Sequence, residues 1–225
     1  MKIILIISSI IFDFASSQNL IQYNAPCRRS DPNLENCLIN AFENVKYEFA
    51  TGNWFPELQI RPLDPFILQN HVFGTGQVFQ IITRNMTVLG LSNYKVEKYS
   101  INPQTLTADL TMLFPKISDT GDYSGSINLL GVNFNGSFKS RYRNTKAFLH
   151  FEFQKIRKNG IEFLNILDIS LSSDKKFIAL ESGHKVHDIA IPILYPYIER
   201  SYAKIIKEEM NKVLDLIPYE SLLLE

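Results

Sequence analysis

Hydrophobic positions in this chain change their period twice. From Leu34 they recur at helical spacing, through Leu38, Phe42, Val45 and Phe49, with Asn36, Asn40, Glu43 and Lys46 between them. That spacing predicts an amphipathic helix of about five turns. It stops before Gly52, with Asp31 as its N-cap and Pro32 at its first helical position. From Gln77 to Leu180 the period is two. Leu106, Ala108, Leu110, Met112 and Phe114 alternate with Thr107, Asp109, Thr111 and Leu113. Val132 and Phe134 alternate with Asn133 and Asn135. Leu149, Phe151 and Phe153 alternate with His150, Glu152 and Gln154, and Leu167, Ile169 and Leu171 with Asp168 and Ser170. Turn residues punctuate the run at Asn102-Pro103, Thr120-Gly121-Asp122, Asn159-Gly160 and Ser173-Asp174. This pattern predicts antiparallel hairpins with one wet and one dry face.

The helical period returns at the end, through Leu194, Ile198, Tyr202, Ile205, Met210, Val213 and Ile217. Glu199, Arg200, Lys204, Lys207, Glu208, Lys212 and Asp215 form its polar side. A helix over 193–216 would be about 36 Å long. The order helix, many strands, long helix is an α+β arrangement. A long helix supplies the cover that a one-sided dry sheet needs.

The N-terminus reads as a targeting segment. Met1-Lys2 precedes an apolar run from Ile3 to Phe12, and Ala15-Ser16-Ser17 offers the small residues of a cleavage site. We expect a cleaved signal peptide over 1–17, a single domain over 18–225, and a secreted, extracellular product. The apolar run is too short to span a bilayer. Cys27 and Cys37 are the only cysteines, and in an oxidising compartment they are expected to pair, contributing about 2–3 kcal/mol. Asn85-Met86-Thr87 and Asn135-Gly136-Ser137 are glycosylation sequons. Asn135 falls on the polar side of its strand. Asn85 shares a side with Thr83 and Thr87, opposite Ile82, Met86 and Val88.

Lys+Arg and Asp+Glu are 23 each, so no net field draws the chain to nucleic acid or an anionic membrane. We expect neither a nucleic-acid partner nor stable membrane insertion. Sixteen Phe and ten Tyr against one Trp leave much flat apolar surface to bury.

Catalytic chemistry is poorly represented. No G-x-S-x-G occurs, and Tyr123-Ser124-Gly125-Ser126 lacks the first glycine of such an elbow. His184 and His187, with Glu181 and Asp188 nearby, are the sole zinc candidates, and a solvated turn explains them better. His150 reads as an outward strand residue. We expect no enzyme activity, no metal and no cofactor. The dry strand face fits either an ordinary core or the wall of a cavity, and patterning alone does not separate the two.

Four stretches carry a resemblance. Cys27 and Cys37 stand directly before a helix; the segment PELQIRPLDP, from Pro56 to Pro65, follows it; Gly121-Asp122-Tyr123 opens a strand; and Ile217-Pro218-Tyr219 lies near the C-terminus. In order and spacing this set resembles the insect haemolymph juvenile hormone binding protein and takeout family over essentially the whole mature chain. The resemblance implies a super-roll, a long helix wrapped by a strongly curved antiparallel sheet around an apolar tunnel. It also implies a non-enzymatic carrier of a small hydrophobic ligand, such as a juvenile-hormone-like terpenoid or a fatty acid. The other reading is a secreted signalling or interaction protein whose tunnel is filled by side chains.

On this reading Phe42, Val45, Leu110, Met112, Phe114, Val132, Phe134, Leu149, Phe151 and Phe153 line the tunnel. Tyr123 supplies a polar contact. The connector PELQIRPLDP is structural: Pro62 and Pro65 stop the helix, Asp64 bonds backbone N–H groups of its own turn, and Leu58, Ile60 and Leu63 anchor it. Two departures from the family pattern stand out. Gln59 and Arg61 sit where glycine and proline are usual, and the segment from Ala179 to Ile193 is short, as if a helical piece before the last helix were reduced.

Overall fold

The computed structural model describes residues 27–28, 30–53, 60–73, 79–128, 131–174, 177–182 and 186–222; the side chains of Phe79 and of 177–195 are outside that description. The expected signal segment, residues 56–59 of the connector with the two before them, and the side chains of His184 and His187 therefore lie outside the described residues.

The predicted first helix is two: α1, Leu34–Asn44, and α2, Lys46–Thr51. They part at the β-branched Val45, whose ψ of 14° leaves the helical range. Asp31 does not cap α1. Its Oδ1 accepts from Asn33 N at 2.8 Å and its carbonyl from Leu34 N at 3.1 Å, so Asp31-Pro32 forms a turn and the helix starts at Leu34. Gly52 ends α2 in the left-handed region, φ 75°. The Cys27–Cys37 disulfide ties the N-terminal arm to α1.

Among the described residues seven strands follow: β1 Phe66–Phe73, β2 Phe79–Leu89, β3 Lys95–Asn102, β4 Thr107–Ile127, β5 Val132–Lys158, β6 Ile161–Ser173 and β7 Phe177–Ser182. All pairings are antiparallel, in the order β1-β2-β4-β5-β6. β3 extends β2's side of β4, and β7 adds to β5. The sheet is strongly curled. β4 and β5, of 21 and 27 residues, are long enough to form its spine. The β5–β6 hairpin turns on Asn159 and Gly160, both at positive φ, the conformation a type I′ turn requires. Thr120-Gly121-Asp122, expected as a turn, lies inside β4 instead, because Gly121 faces the Phe138 ring across the ladder rather than a bend.

Strict alternation fails at several places, and at Pro115, Asn144 and Asn85 the failure moves residues between faces. At Pro115 and Asn144 (φ 50°) β4 and β5 change phase together. Ala108, Leu110 and Met112 are buried before the break; after it Tyr123 is buried, on odd positions, and Ser140 is buried on β5. In β2 the register shifts between Arg84 and Thr87, with Asn85 at φ 49°. Thr83 is therefore buried with Met86 and Val88, while Asn85 is exposed. The expected grouping of Asn85 with Thr83, and of Ile82 with Met86, is thus corrected by a bulge.

The last long helix, α3, is Val186–Leu214, about 43 Å at 1.5 Å per residue. It starts seven residues before the expected Ile193, so helix occupies part of the segment read as a shortened connector. It packs on β6 and reaches β1. Asn211 fastens the free edge of β6: Ile166 N donates to Asn211 Oδ1 at 2.8 Å, and Asn211 Nδ2 donates back to Ile166 O at 3.4 Å. Lys207 Nζ donates to Leu167 O at 2.7 Å. A short helix α4, Tyr219–Leu222, closes the described chain.

The connector's aspartate acts at long range. Gly90 N donates to Asp64 Oδ2 at 3.0 Å, and Ser92 Oγ at 2.7 Å. Asp64 thus ties the connector to the 3-10 turn Leu91–Asn93 rather than to its own turn.

Candidate functional site

A cavity of about 430 Å³ lies between the sheet and α3. Its wall is overwhelmingly apolar and aromatic. Of the residues expected to line a tunnel, Phe42, Leu110, Met112, Phe114, Tyr123, Phe134, Leu149 and Phe151 do line this cavity. Val45, Val132 and Phe153 are not among its lining residues. Val45 stands at the break between α1 and α2. Val132 is 41% exposed at the start of β5. Phe153 stacks on Phe151 and packs into the core cluster around Leu110 and Ile166.

Sequence reasoning missed other parts of the wall. Phe49 joins Phe42, with ring centroids 5.5 Å apart. Ile60 and Leu63 come from the connector, Phe66 and Phe73 from β1, and Met86 and Val88 from β2. Ile198, Tyr202 and Ile206 come from α3. Most of these were legible as apolar faces; which faces meet was not.

One part of the wall is built by glycines. Gly121 pairs across the ladder with Phe138, Tyr123 with Gly136, and Gly125 with Phe134. A methyl group on Gly121 or Gly125 would stand 3.1 or 2.5 Å from the facing phenylalanine ring, and one on Gly136 would stand 2.5 Å from the Tyr123 hydroxyl oxygen and 3.0 Å from its ring. Each ring thus lies over a bare α-carbon of the opposite strand, and neighbouring ring centroids are 6.1 and 6.3 Å apart. Flattened this way, three aromatic side chains pave the wall without filling the cavity. The signal is G-x-Y-x-G on one strand and F-x-G-x-F on its partner, which becomes visible once the register is known.

Polar groups in the wall are few and mostly paired. Tyr94 donates to Phe42 O at 2.9 Å, and burial pushes its phenol well above the ordinary value. Burial also raises the Tyr123 phenol, so it stays neutral and able to donate. Arg61 meets Glu209 at 3.8 Å, and Ser173 Oγ donates to Glu199 at 2.8 Å. Glu199, expected on the polar side of the helix, thus lines the cavity. Asp119 and Ser140 are cross-strand partners, and Ser140 hydrogen-bonds the Asp119 carboxyl; burial raises that carboxyl's pKa against the opposing effect of those bonds. Thr83 and Thr145 each have a buried hydroxyl with no partner among the described residues. These groups are spread along the wall rather than gathered on one reacting centre. Among the described residues no three His, Cys, Asp or Glu side chains are grouped to hold a metal ion. His150, outside, pairs with Asp109 at 2.7 Å. What this arrangement can do chemically is withdraw an apolar molecule from water and offer it a few hydrogen bonds.

Comparison with known proteins agrees with this geometry. The model of the family described as haemolymph juvenile hormone binding protein matches residues 3–178. The crystal structure of Takeout 1 from Epiphyas postvittana superposes with a TM-score of 0.63 at 14% identity, over 91% of this chain and 100% of that one, a likeness of fold. A crystal structure of lipopolysaccharide binding protein gives a TM-score of 0.34 at 13% identity, over 77% and 36% of the two chains. No curated protein matches in sequence.

Proposed function

The chain belongs to the haemolymph juvenile hormone binding protein family, and from that premise we propose that it is a secreted carrier of one small hydrophobic ligand, held in the cavity between the sheet and α3. The observation that carries this reading is the cavity itself. At about 430 Å³ it falls within the range of ligand sites, roughly 300–1,000 Å³. Its wall offers aromatic and aliphatic surface on every side. A ligand entering it gains about 25 cal/mol for each Å² of apolar surface removed from water. The isolated polar groups then set its orientation. Secretion accords with the leader-like start over 1–17 and the Cys27–Cys37 disulfide. Asn85 and Asn135, both exposed, are open to glycosylation. No described helix is long and apolar enough to cross a membrane.

The test is native mass spectrometry of the secreted, deglycosylated protein, followed by organic extraction. A stoichiometric hydrophobic adduct, lost on denaturation, is the expected result. A clean apo mass, together with failure of an apolar fluorescent probe to bind, would overturn the carrier reading and leave surface recognition as the function.

A further inference from the structure

We propose that a row of cations on the outer face of the sheet, Lys139, Arg141 and Arg143 of β5 with Lys116 of β4, docks a linear sulfated polysaccharide outside the cell. The row lies on the opposite face from the cavity, and the inference rests on the secretion proposed above but not on a bound ligand.

The alternation of β5 builds the row. Phe138, Ser140 and Tyr142 line the cavity, so Lys139, Arg141 and Arg143 point outward, and all three are exposed. At about 3.3 Å per residue along the strand they span about 13 Å. On β4, Ile117 and Asp119 line the cavity and the exposed Lys116 faces out, as the ladder partner of Arg143. Two cations thus stand directly opposite each other, an arrangement that destabilises a sheet. Arg141 is paired across the ladder with Ser118 and Lys139 with Thr120, so β4 sets no carboxylate against the row.

Among the described residues none of the four cations takes part in an ion pair. Other lysines of the chain do: Lys46 with Glu43, Lys146 with Glu97, Lys155 with Glu162 and Lys158 with Asp215. At the Arg143 end of the row the nearby carboxylates are engaged, Glu97 by the Lys146 side chain and Asp174 by the Lys146 backbone N–H at 2.6 Å. At the Lys139 end stand the exposed Asp122 on β4 and Glu181, the ladder partner of Lys139 on β7. Lys+Arg and Asp+Glu are equal over the whole chain, so the row is a local concentration of positive charge and not part of a net field.

The shape of the row selects the partner. It is one to two strands wide, on the outer side of a strongly curled sheet, with carboxylate-bearing residues at one end. A flat anionic bilayer would touch such a surface along a ridge and would meet those carboxylates as well. A linear polyanion can follow the strand. Guanidinium groups hold tetrahedral oxyanions through two parallel hydrogen bonds, which suits Arg141 and Arg143 to sulfate groups.

The experiment is binding of the full mature chain to heparin, to uncharged dextran and to phosphatidylserine vesicles, at about 50 and 200 mM salt. Heparin should bind, dextran should not, and the heparin affinity should fall about tenfold or more between the two salt concentrations, as release of counterions from about four contacts requires. Arg141→Ser with Arg143→Ser should weaken heparin about tenfold at the lower salt. Lys98→Ser with Lys204→Ser makes the same change in net charge away from the row and should leave heparin binding within about twofold. The arginine variant relieves repulsion instead of breaking a contact, so its urea midpoint should be no lower than that of the wild type, which separates lost binding from lost folding. No heparin binding at the lower salt, equal weakening by the two variants, or binding to the vesicles but not to heparin would overturn the inference. Any of these leaves the carrier reading standing, because none of them reports on the cavity.

Discussion

The ring of Tyr123 on β4 rests on the α-carbon of Gly136, its partner on β5, so closely that a methyl group there would meet the phenol oxygen at 2.5 Å. The pair is the centre of the glycine–aromatic pavement. The cavity's width on that side depends on a hydrogen atom where most residues carry a side chain.

Alanine at these glycines should therefore act on both stability and binding. Gly136→Ala and Gly125→Ala force Tyr123 and Phe134 off the wall and into the cavity. Overpacking of this kind costs about 1–3 kcal/mol. Gly125→Ala should be the worse, since its added carbon also meets the Gln80 carbonyl at 2.8 Å. Gly121→Ala, with contacts near 3.0–3.1 Å, should be the mildest. Urea denaturation and probe titration check the order; loss of stability without loss of probe binding would contradict the placement of the rings.

The bond between Asn211 and Ile166 should be worth more than its distances suggest. Ile166 is wholly buried, so Asn211→Leu strands a backbone N–H at the edge of β6. Leaving such a donor unsatisfied costs about 1–3 kcal/mol. Hydrogen exchange at the Ile166 amide should accelerate selectively, along with a lower urea midpoint.

Asp64→Ala should loosen the connector from the 3-10 turn. It removes the acceptor for Gly90 N and Ser92 Oγ together, at about 1–3 kcal/mol for the part-buried pair. Ser92→Ala removes one bond only and should cost less. A double-mutant cycle measures the coupling; additive effects would show that Asp64 and Ser92 do not act together.

Two buried groups should tilt stability with pH in opposite directions. His71 lies inward on β1 with its Nε2 unpartnered among the described residues. Burial lowers its pKa, helped by Arg61 and Lys204 and opposed by Glu208. The unfolded chain takes up that proton first, near pH 6.5, so stability is intact above about pH 6.5 and falls as pH drops through the folded value. Asp119 is raised, so its contribution is full below about pH 3.9 and is lost as pH rises through its folded value. His71→Gln should flatten the fall in stability below about pH 6.5. Asp119→Asn should stabilise at pH 7 and lose that advantage on acidification. Unchanged curves in either variant would refute the corresponding shift.

How much of this was legible in advance differs along the chain. Leu110, Met112, Leu149 and Phe151 were readable because unbroken alternation carried them to the dry face. Asp119 was not, because the alternation changes phase at Pro115, and the count from Leu110 puts it on the wrong side. Thr83 and Ile82 were exchanged for the same reason at Asn85. Pro115 was a visible warning, since proline inside a central strand marks interrupted pairing. The sequence does not say on which side counting should resume.

The sequence by itself determined the periods: helix, long antiparallel strands, helix, with enough apolar surface on one side of each to demand burial. It also determined that the two cysteines, ten residues apart, could pair. These are local properties, set by spacing and by steric limits on single residues. Tertiary structure decided which faces meet and how far apart they stay. Sheet curl, the seat of α3 against β6 and the register that sets Tyr123 over Gly136 depend on residues far apart in the chain. A packed core and a hollow one demand the same apolar faces, and only the distance between those faces separates them.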